Sequence, residues 1–232
     1  MFINGFDILW DEVDDYVADI QSIRSIEQLT FSKPVTFFCG ENGSGKSTLL
    51  EALAIKNGLN PEGGTRNYNF STYDSYSDMH NHMRLWRSRK PDWMYFLRAE
   101  SFYNVATKEM EYSGVFSERY HDQSHGQSFF SVLMKQTNKN GLYLLDEPEA
   151  ALSCQNQLAL LYLIQSCVKQ NCQFIIATHS PILLGFPGAQ ILSFDEGKVE
   201  EVDYKLTSSY QTMKLFLDRY DYFVEDIKEN EI

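Results

Sequence analysis

The stretch FFCGENGSGKSTLLEAL, residues 37–53, joins an apolar run to a helical pattern through a turn that holds Gly40, Gly43 and Gly45. Glycine adopts positive φ at little cost, so such a turn can aim successive backbone N–H groups at one anion. Gly40, Gly45, Lys46 and Ser47 complete the pattern G-x-x-x-x-G-K-[ST]. The strand-like flank before it and the helical flank after it are the context in which that pattern cradles phosphate. Lys46 then offers a point charge to terminal phosphates, and the Ser47 hydroxyl can join the shell of a magnesium ion.

Working outward, short apolar runs at 35–39, 92–97, 142–146, 173–178 and 190–194 alternate with longer helical patterns. That alternation predicts an α/β domain built on a mostly parallel sheet with flanking helices. QNQLALLYLIQSCVKQ (155–170) spaces its apolar residues as a helix does and predicts a crossover between two parallel strands. Residues 60–82 and 104–124 read as irregular loops, and SFFSVLMKQ (128–136) as a further apolar helix. The expectation is one domain over residues 1–232 with a small helical and loop insertion over about 60–135. After Phe194 come eleven acidic and five basic residues and an amphipathic helix with Tyr210, Met213, Leu217 and Tyr220 on one side, expected to pack as structure.

Composition narrows the function. A chain of 232 residues with 43% hydrophobic content supports one sizeable core. No apolar run reaches the roughly 20 residues that span a bilayer, and the first residues, MFINGFDILWDEVDD, are acidic where a signal peptide is basic, so a cytoplasmic location is expected. Cys39, Cys154, Cys167 and Cys172 form no CxxC pair and are expected as buried thiols. A net charge of −12 argues against non-specific coating of nucleic acid. One basic segment remains at 84–98, with Arg84, Arg87, Arg89, Lys90 and Arg98 against Asp92. It reads as a solvated lobe, or as a surface for nucleic acid or an acidic partner.

Three further motifs surround the phosphate loop in chain order. QSHGQSFF (123–130) sets Ser124 and Gly126 at the start of a helix, where backbone N–H groups face an anion. GLYLLDEPEAALS (141–153) ends an apolar strand in Asp146 and Glu147. One carboxylate there can hold the water shell of a metal while its neighbour orients or deprotonates a water. IIATHSP (175–181) places His179 just beyond another strand, where a neutral imidazole can contact a terminal phosphate.

In this order the motifs resemble the ABC-type ATPases, and most closely the small soluble ATPases related to SMC and DNA-repair ATPases, often called simply AAA-family ATPases. The resemblance runs from about residue 30 to about 195. It implies the fold of a P-loop NTPase of ABC-ATPase type, with ATP and Mg²⁺ as cofactors and two copies sandwiching two ATP molecules. Gly40, Asn42, Gly43, Ser44, Gly45, Lys46, Ser47 and Thr48 would then hold ATP, and Ser124 and Gly126 would contact its γ-phosphate across the dimer. Ser47 and Asp146 would serve the metal, Glu147 would be the catalytic carboxylate, and His179 and Lys46 would complete the catalytic set.

Departures from the family pattern are equally specific. The segment EAALS ends in Ser153 where the family usually has Asp, and Gln123 and His125 replace a common Leu and Gly. Glu100 stands where the family has a magnesium-contacting Gln and would take its place. Tyr16 lies at a distance upstream that suits an adenine-stacking aromatic, yet reads first as a packed tyrosine. The resulting expectation is a soluble, ATP-dependent homodimer that switches an unknown protein partner, in nucleic-acid maintenance or phage defence. The alternative is the ATP-binding subunit of a membrane transporter. A long-armed SMC protein is excluded, because only about 75 residues separate the phosphate loop from Ser124.

Overall fold

The computed structural model describes residues 1–13, 15–65, 76–99, 134, 137 and 140–229. The chain opens with strand β1 (Ile3–Ile8), 3-10 turns at Trp10–Glu12 and Tyr16–Asp19, and the one-turn helix α1 (Gln21–Arg24). Strands β2 (Gln28–Thr30) and β3 (Val35–Cys39) lead through the glycine turn into helix α2 (Lys46–Lys56). Helix α3 (Met79–His82) runs directly into β4 (Met83–Arg87), which is followed by β5 (Trp93–Arg98). Beyond residue 140 come β6 (Gly141–Asp146), α4 (Cys154–Val168), β7 (Gln173–Ala177), α5 (Pro181–Leu184) and β8 (Gln190–Ser193). The two-residue strand β9 (Glu200–Glu201) precedes helices α6 (Ser208–Asp218) and α7 (Tyr220–Glu229).

Six strands form the central sheet in the order β5-β6-β7-β3-β8-β9. The first five run parallel, and β9 closes the edge antiparallel to β8. Every residue of β3, β6, β7 and β8 is buried, which is why these strands read as continuous apolar runs. Period two then divides them between two cores. Phe38, Leu142, Leu144 and Ile175 join α2 and the N-terminal strands on one face, while Phe37, Tyr143, Leu145 and Ile176 meet Leu160 and Ile164 of α4 on the other. Each such side chain stabilises the fold by about 1.5–3 kcal/mol.

A second sheet, β2-β1-β4, is antiparallel and was not evident from sequence. INGFDI carries Asn and Gly within its span, and MRLWR lies inside the basic segment, so neither advertises a strand. Two buried glutamines staple this sheet to the large one. Gln173 accepts from the backbone N–H groups of Phe2 (2.7 Å) and Ile3 (3.0 Å) and donates to Ile3 O (2.8 Å). Gln190 donates to Thr30 O (3.2 Å) and accepts from the N–H of Ser32 (3.1 Å). Both amides are thereby satisfied in the interior, as buried polar groups must be.

The five strands expected from sequence all form, with ends displaced by a residue or so: 92–97 becomes Trp93–Arg98, and 190–194 stops at Ser193. Other expectations are corrected. The segment 84–98 is not one basic surface, because it spans β4, a turn and β5. Arg84, Arg87 and Arg89 are exposed, whereas Arg98 turns toward the phosphate loop. Part of 60–82 is ordered by tertiary contact, with Gly64 bridging Phe96 and α3 closing the stretch. Cys39, Cys167 and Cys172 are buried, but Cys154 is exposed in the first turn of α4. The C-terminal amphipathic pattern divides into two helices, neither of which holds a buried residue; Tyr210 packs on Tyr204 with ring centroids 4.7 Å apart, whereas Leu217 is 66% exposed, so the expected packing is only partly made among the described residues. Most of the insertion expected over about 60–135 lies outside the described residues, as do the motif around Ser124 and Gly126, Glu100, and the helix at 128–136 except Met134.

Candidate nucleotide-binding site

The parallel sheet brings the candidate residues together at the carboxyl ends of its strands. Ala177 of β7 stands opposite both Phe38 of β3 and Asp146 of β6. Asp146 is therefore two strand spacings, about 10 Å, from the strand that feeds the phosphate loop. His179 follows β7 between them, and the site occupies the crevice where open α/β sheets hold ligands.

Within the loop, Gly40, Gly43 and Gly45 have φ of 136°, 78° and 92°. A Cβ on Gly45 would come within 2.5 Å of the Ile23 side chain, so packing against α1 also requires glycine there. A Cβ on Gly43 would meet nothing within 4 Å, leaving its positive φ and the open space before the loop as what that position provides. A polar cavity of about 840 Å³ lies in that space, lined by Gln21, Glu41, Asn42, Gly43, Ser44 and Asp195 among others.

Lys46 is 4% exposed and arches over the loop, donating to Gly40 O (2.9 Å) and Glu41 O (2.7 Å). Burial lowers its pKa from the usual lysine value, and the charges of Glu147, Asp195 and Asp146 offset part of that effect. Ser47 Oγ donates to Asp146 Oδ1 at 2.8 Å. Thr48, next along α2, lies near the Tyr16 hydroxyl. The Tyr16 side chain is 53% exposed, so the packed-tyrosine reading is corrected: the ring stands at the surface beside the first turn of α2.

Glu147 has φ 48° and ψ 50°, a left-handed conformation that costs a side-chain-bearing residue of order 1–3 kcal/mol. The fold holds it there through the Glu147 N–H, which donates to Ala177 O (2.9 Å). The following Pro148 opens a 3-10 turn (Pro148–Ala151). The Glu147 carboxylate is thereby left half exposed, with Oε1 3.5 Å from His179 Nε2. The His179 backbone N–H in turn donates to Glu149 Oε1 (2.6 Å). Behind it, Ser180 Oγ caps α5 through the N–H groups of Ile182 and Leu183 and donates to Gln157 Oε1 of α4 at 2.6 Å. Ser153, which departs from the family's Asp, caps α4 by accepting from the Asn156 N–H.

Three residues of this network escaped the sequence reading. Glu51 lies four positions after Ser47 and so shares its helix face, a spacing that could have marked it. Arg98 ends a strand beside Asp146. Gln157 is a buried amide on an otherwise apolar helix face.

The mostly parallel sheet and the glycine turn that joins β3 to α2 form an α/β fold with a phosphate loop of the P-loop kind. Two family models match the chain, one described as an AAA domain over residues 18–75 and the other as an AAA ATPase domain over residues 125–184. The chain is 28% identical to an uncharacterized ABC transporter ATP-binding protein of Haemophilus influenzae, with 68% of each chain covered. Among solved structures it is similar to cbiO1 from Clostridium perfringens, part of an ABC transporter complex, at 18% identity and a TM-score of 0.46 over 97% of this chain and 100% of that one. It is also similar to the SMC head domain from Thermotoga maritima, at 14% identity and a TM-score of 0.40 over 75% and 92% of the two chains. Among the described residues no helix is long and apolar enough to cross a membrane.

Proposed function

We propose that the chain binds ATP with Mg²⁺, hydrolyses it, and uses the nucleotide to close two copies into a dimer. The observation that carries this reading is the convergence of Lys46, Ser47, Asp146, Glu147 and His179 from three separate segments onto one crevice. The residues fit the ligand by their chemistry. Lys46 already bridges loop oxygens as an ammonium donor, and the hydroxyl and carboxylate of Ser47 and Asp146 are the hard oxygen donors that magnesium takes beside phosphate.

In this reading ATP, when bound, supplies the phosphoanhydride bond that is cleaved. Lys46 and the N–H groups of residues 42–48 hold the phosphates, and Ser47 and Asp146 hold the metal. Glu147, with an exposed carboxylate on a strained backbone, accepts the proton of the attacking water. His179 holds the Glu147 side chain and the terminal phosphate on one side of the crevice. Ser124, Gly126 and Glu100, outside the described residues, complete the site in the same reading, the first two from the other copy. The whole chain then acts as one ATPase domain with its insertion as a lobe.

What the switch drives follows from two different observations. The exposed Arg87 and Arg89 favour a nucleic-acid or acidic partner, in maintenance or defence. The Haemophilus influenzae relative favours a transporter's ATP-binding subunit instead. The test is steady-state ATP hydrolysis across an enzyme concentration series, with and without DNA or RNA, beside Glu147→Gln. A rate rising faster than enzyme concentration and falling by about 10²–10⁴-fold in the variant supports the reading. ATP turnover by the variant equal to that of the native chain removes Glu147 from it, and a strictly linear rate with a monomer in saturating ATP removes the dimer.

A further inference from the structure

Arg98 and Asp146 end neighbouring parallel strands and are paired in register. From there the Arg98 guanidinium reaches across to α2. Its Nη1 donates to Glu51 Oε2 and lies 3.5 Å from Pro61 O, while its Nε stands 3.6 Å from Asp146 Oδ2. That Nε is buried and has no hydrogen-bond partner among the described residues. Ser47 and Glu51, one helical turn apart, face Asp146 and Arg98 respectively, so the four side chains form a closed circuit between α2 and the sheet.

Two physical consequences follow from this circuit. The two oxygens of Asp146 are addressed from different sides, Oδ1 by a hydroxyl and Oδ2 by a cation, which fixes the plane of the carboxylate. The guanidinium is also a permanent positive charge beside the carboxylate that would serve a metal, and at such range in a partly buried site like charges repel appreciably. A guanidinium with an unmade Nε bond is an expensive group to keep in this position for packing alone.

We propose that Arg98 is a positioning residue for Asp146: it sets the carboxylate toward Ser47 and opposes a bare cation, so that the metal is retained only together with nucleotide phosphates. This rests on the ATPase reading of the same site. Glu51 is the anchor that keeps the guanidinium in place, and neither residue is asked to touch the reacting atoms.

The test uses the full chain and Mn²⁺ as a spin probe for the divalent cation, read by electron paramagnetic resonance without nucleotide, together with kcat and KM for Mg-ATP. Arg98→Gln should bind Mn²⁺ at least about fivefold more tightly, because a neighbouring positive charge is gone, and should lose about tenfold in kcat with KM little changed. Arg98→Lys should return Mn²⁺ affinity toward that of the native chain, since the charge is kept, yet recover kcat only in part, because an ammonium lacks the planar fork. Glu51→Gln, which removes the anchor and keeps the charge, should lower kcat without tightening Mn²⁺ binding. Unchanged Mn²⁺ affinity in Arg98→Gln, with only the melting temperature lowered, would overturn the proposal and leave a structural ion pair. Failure of the native chain to bind ATP would overturn the ATPase reading instead, and the Mn²⁺ comparison distinguishes the two because it needs no nucleotide.

Discussion

Ser47 Oγ and Asp146 Oδ1 are 2.8 Å apart although 99 positions separate them in the chain. The bond ties the first turn of α2 to the end of β6 and presents a hydroxyl and a carboxylate side by side. Removing the hydroxyl should leave the phosphate loop able to hold nucleotide but remove a partner for magnesium. Ser47→Ala is therefore expected to bind an ATP analogue in EDTA as well as the native chain does, and to lose at least about tenfold of the further affinity that Mg²⁺ adds, given about 1.5–3 kcal/mol for a charged hydrogen bond. Isothermal titration with and without metal reads both quantities, and an intact magnesium increment in the variant would contradict the assignment.

Lys46 is the only described cation that arches across the loop carbonyls, so its ammonium should carry a large share of phosphate affinity. Lys46→Ala should weaken ATP binding by at least about tenfold on the same charge-assisted scale. An equilibrium dissociation constant equal to the native one would remove Lys46 from the site. Because burial lowers its pKa, the ammonium also discharges at a lower pH than an exposed lysine. ATP affinity should accordingly decline on the alkaline side sooner than an ordinary lysine would require, and a flat profile up to the usual lysine range would count against that.

Gln173 joins the two sheets by filling the needs of Phe2 N–H, Ile3 N–H and Ile3 O at once. In Gln173→Ala these buried backbone groups lose their partner, which should cost about 2–4 kcal/mol of unfolding free energy, counting about 1–3 kcal/mol per orphaned group with some relaxation. Urea denaturation measures it. A change below about 0.5 kcal/mol, the range of neutral surface substitutions, would show that the N-terminal strand is not fastened here.

Alkaline pH should destabilise the fold through the buried thiols. Burial raises Cys39 and Cys167 from 9.0 to about 11, so between those values the unfolded chain gives up thiol protons that the folded chain keeps. Stability from these groups is complete below pH 9 and is lost as the pH rises toward 11. Lys46, with its lowered pKa, opposes this by at most one proton. The melting temperature should fall across that interval, and less steeply in a Cys39→Ala, Cys167→Ala double variant; identical slopes would refute the role of the thiols.

How much of the site was legible depends on how local its chemistry is. The glycine turn, Lys46 and Ser47 fall within one short segment whose spacing carries its own meaning, and Asp146, Glu147 and His179 each follow an apolar strand, a position visible in the chain. Arg98 and Glu51 were hidden, the first because it sat among other basic residues in 84–98, the second because a glutamate on a helix is ordinarily a solvated one. Only their meeting across β5 and α2 gives them a function.

The same division holds for the whole molecule. By itself the sequence determined the parallel α/β core and the phosphate loop, because burial on both sheet faces makes strands continuously apolar and because a tight anion cradle requires glycine at set intervals. Tertiary structure alone decided the N-terminal sheet, whose mixed short strands are stabilised by Gln173 and Gln190 from distant β7 and β8 rather than by their own pattern. It alone decided that Glu147 adopts a left-handed backbone and that the helices after residue 207 leave most of their large apolar side chains exposed. Periodicity reports which side chains prefer to leave water; what they meet when they do so depends on contacts between residues far apart in the chain, and those exist only once the fold has formed.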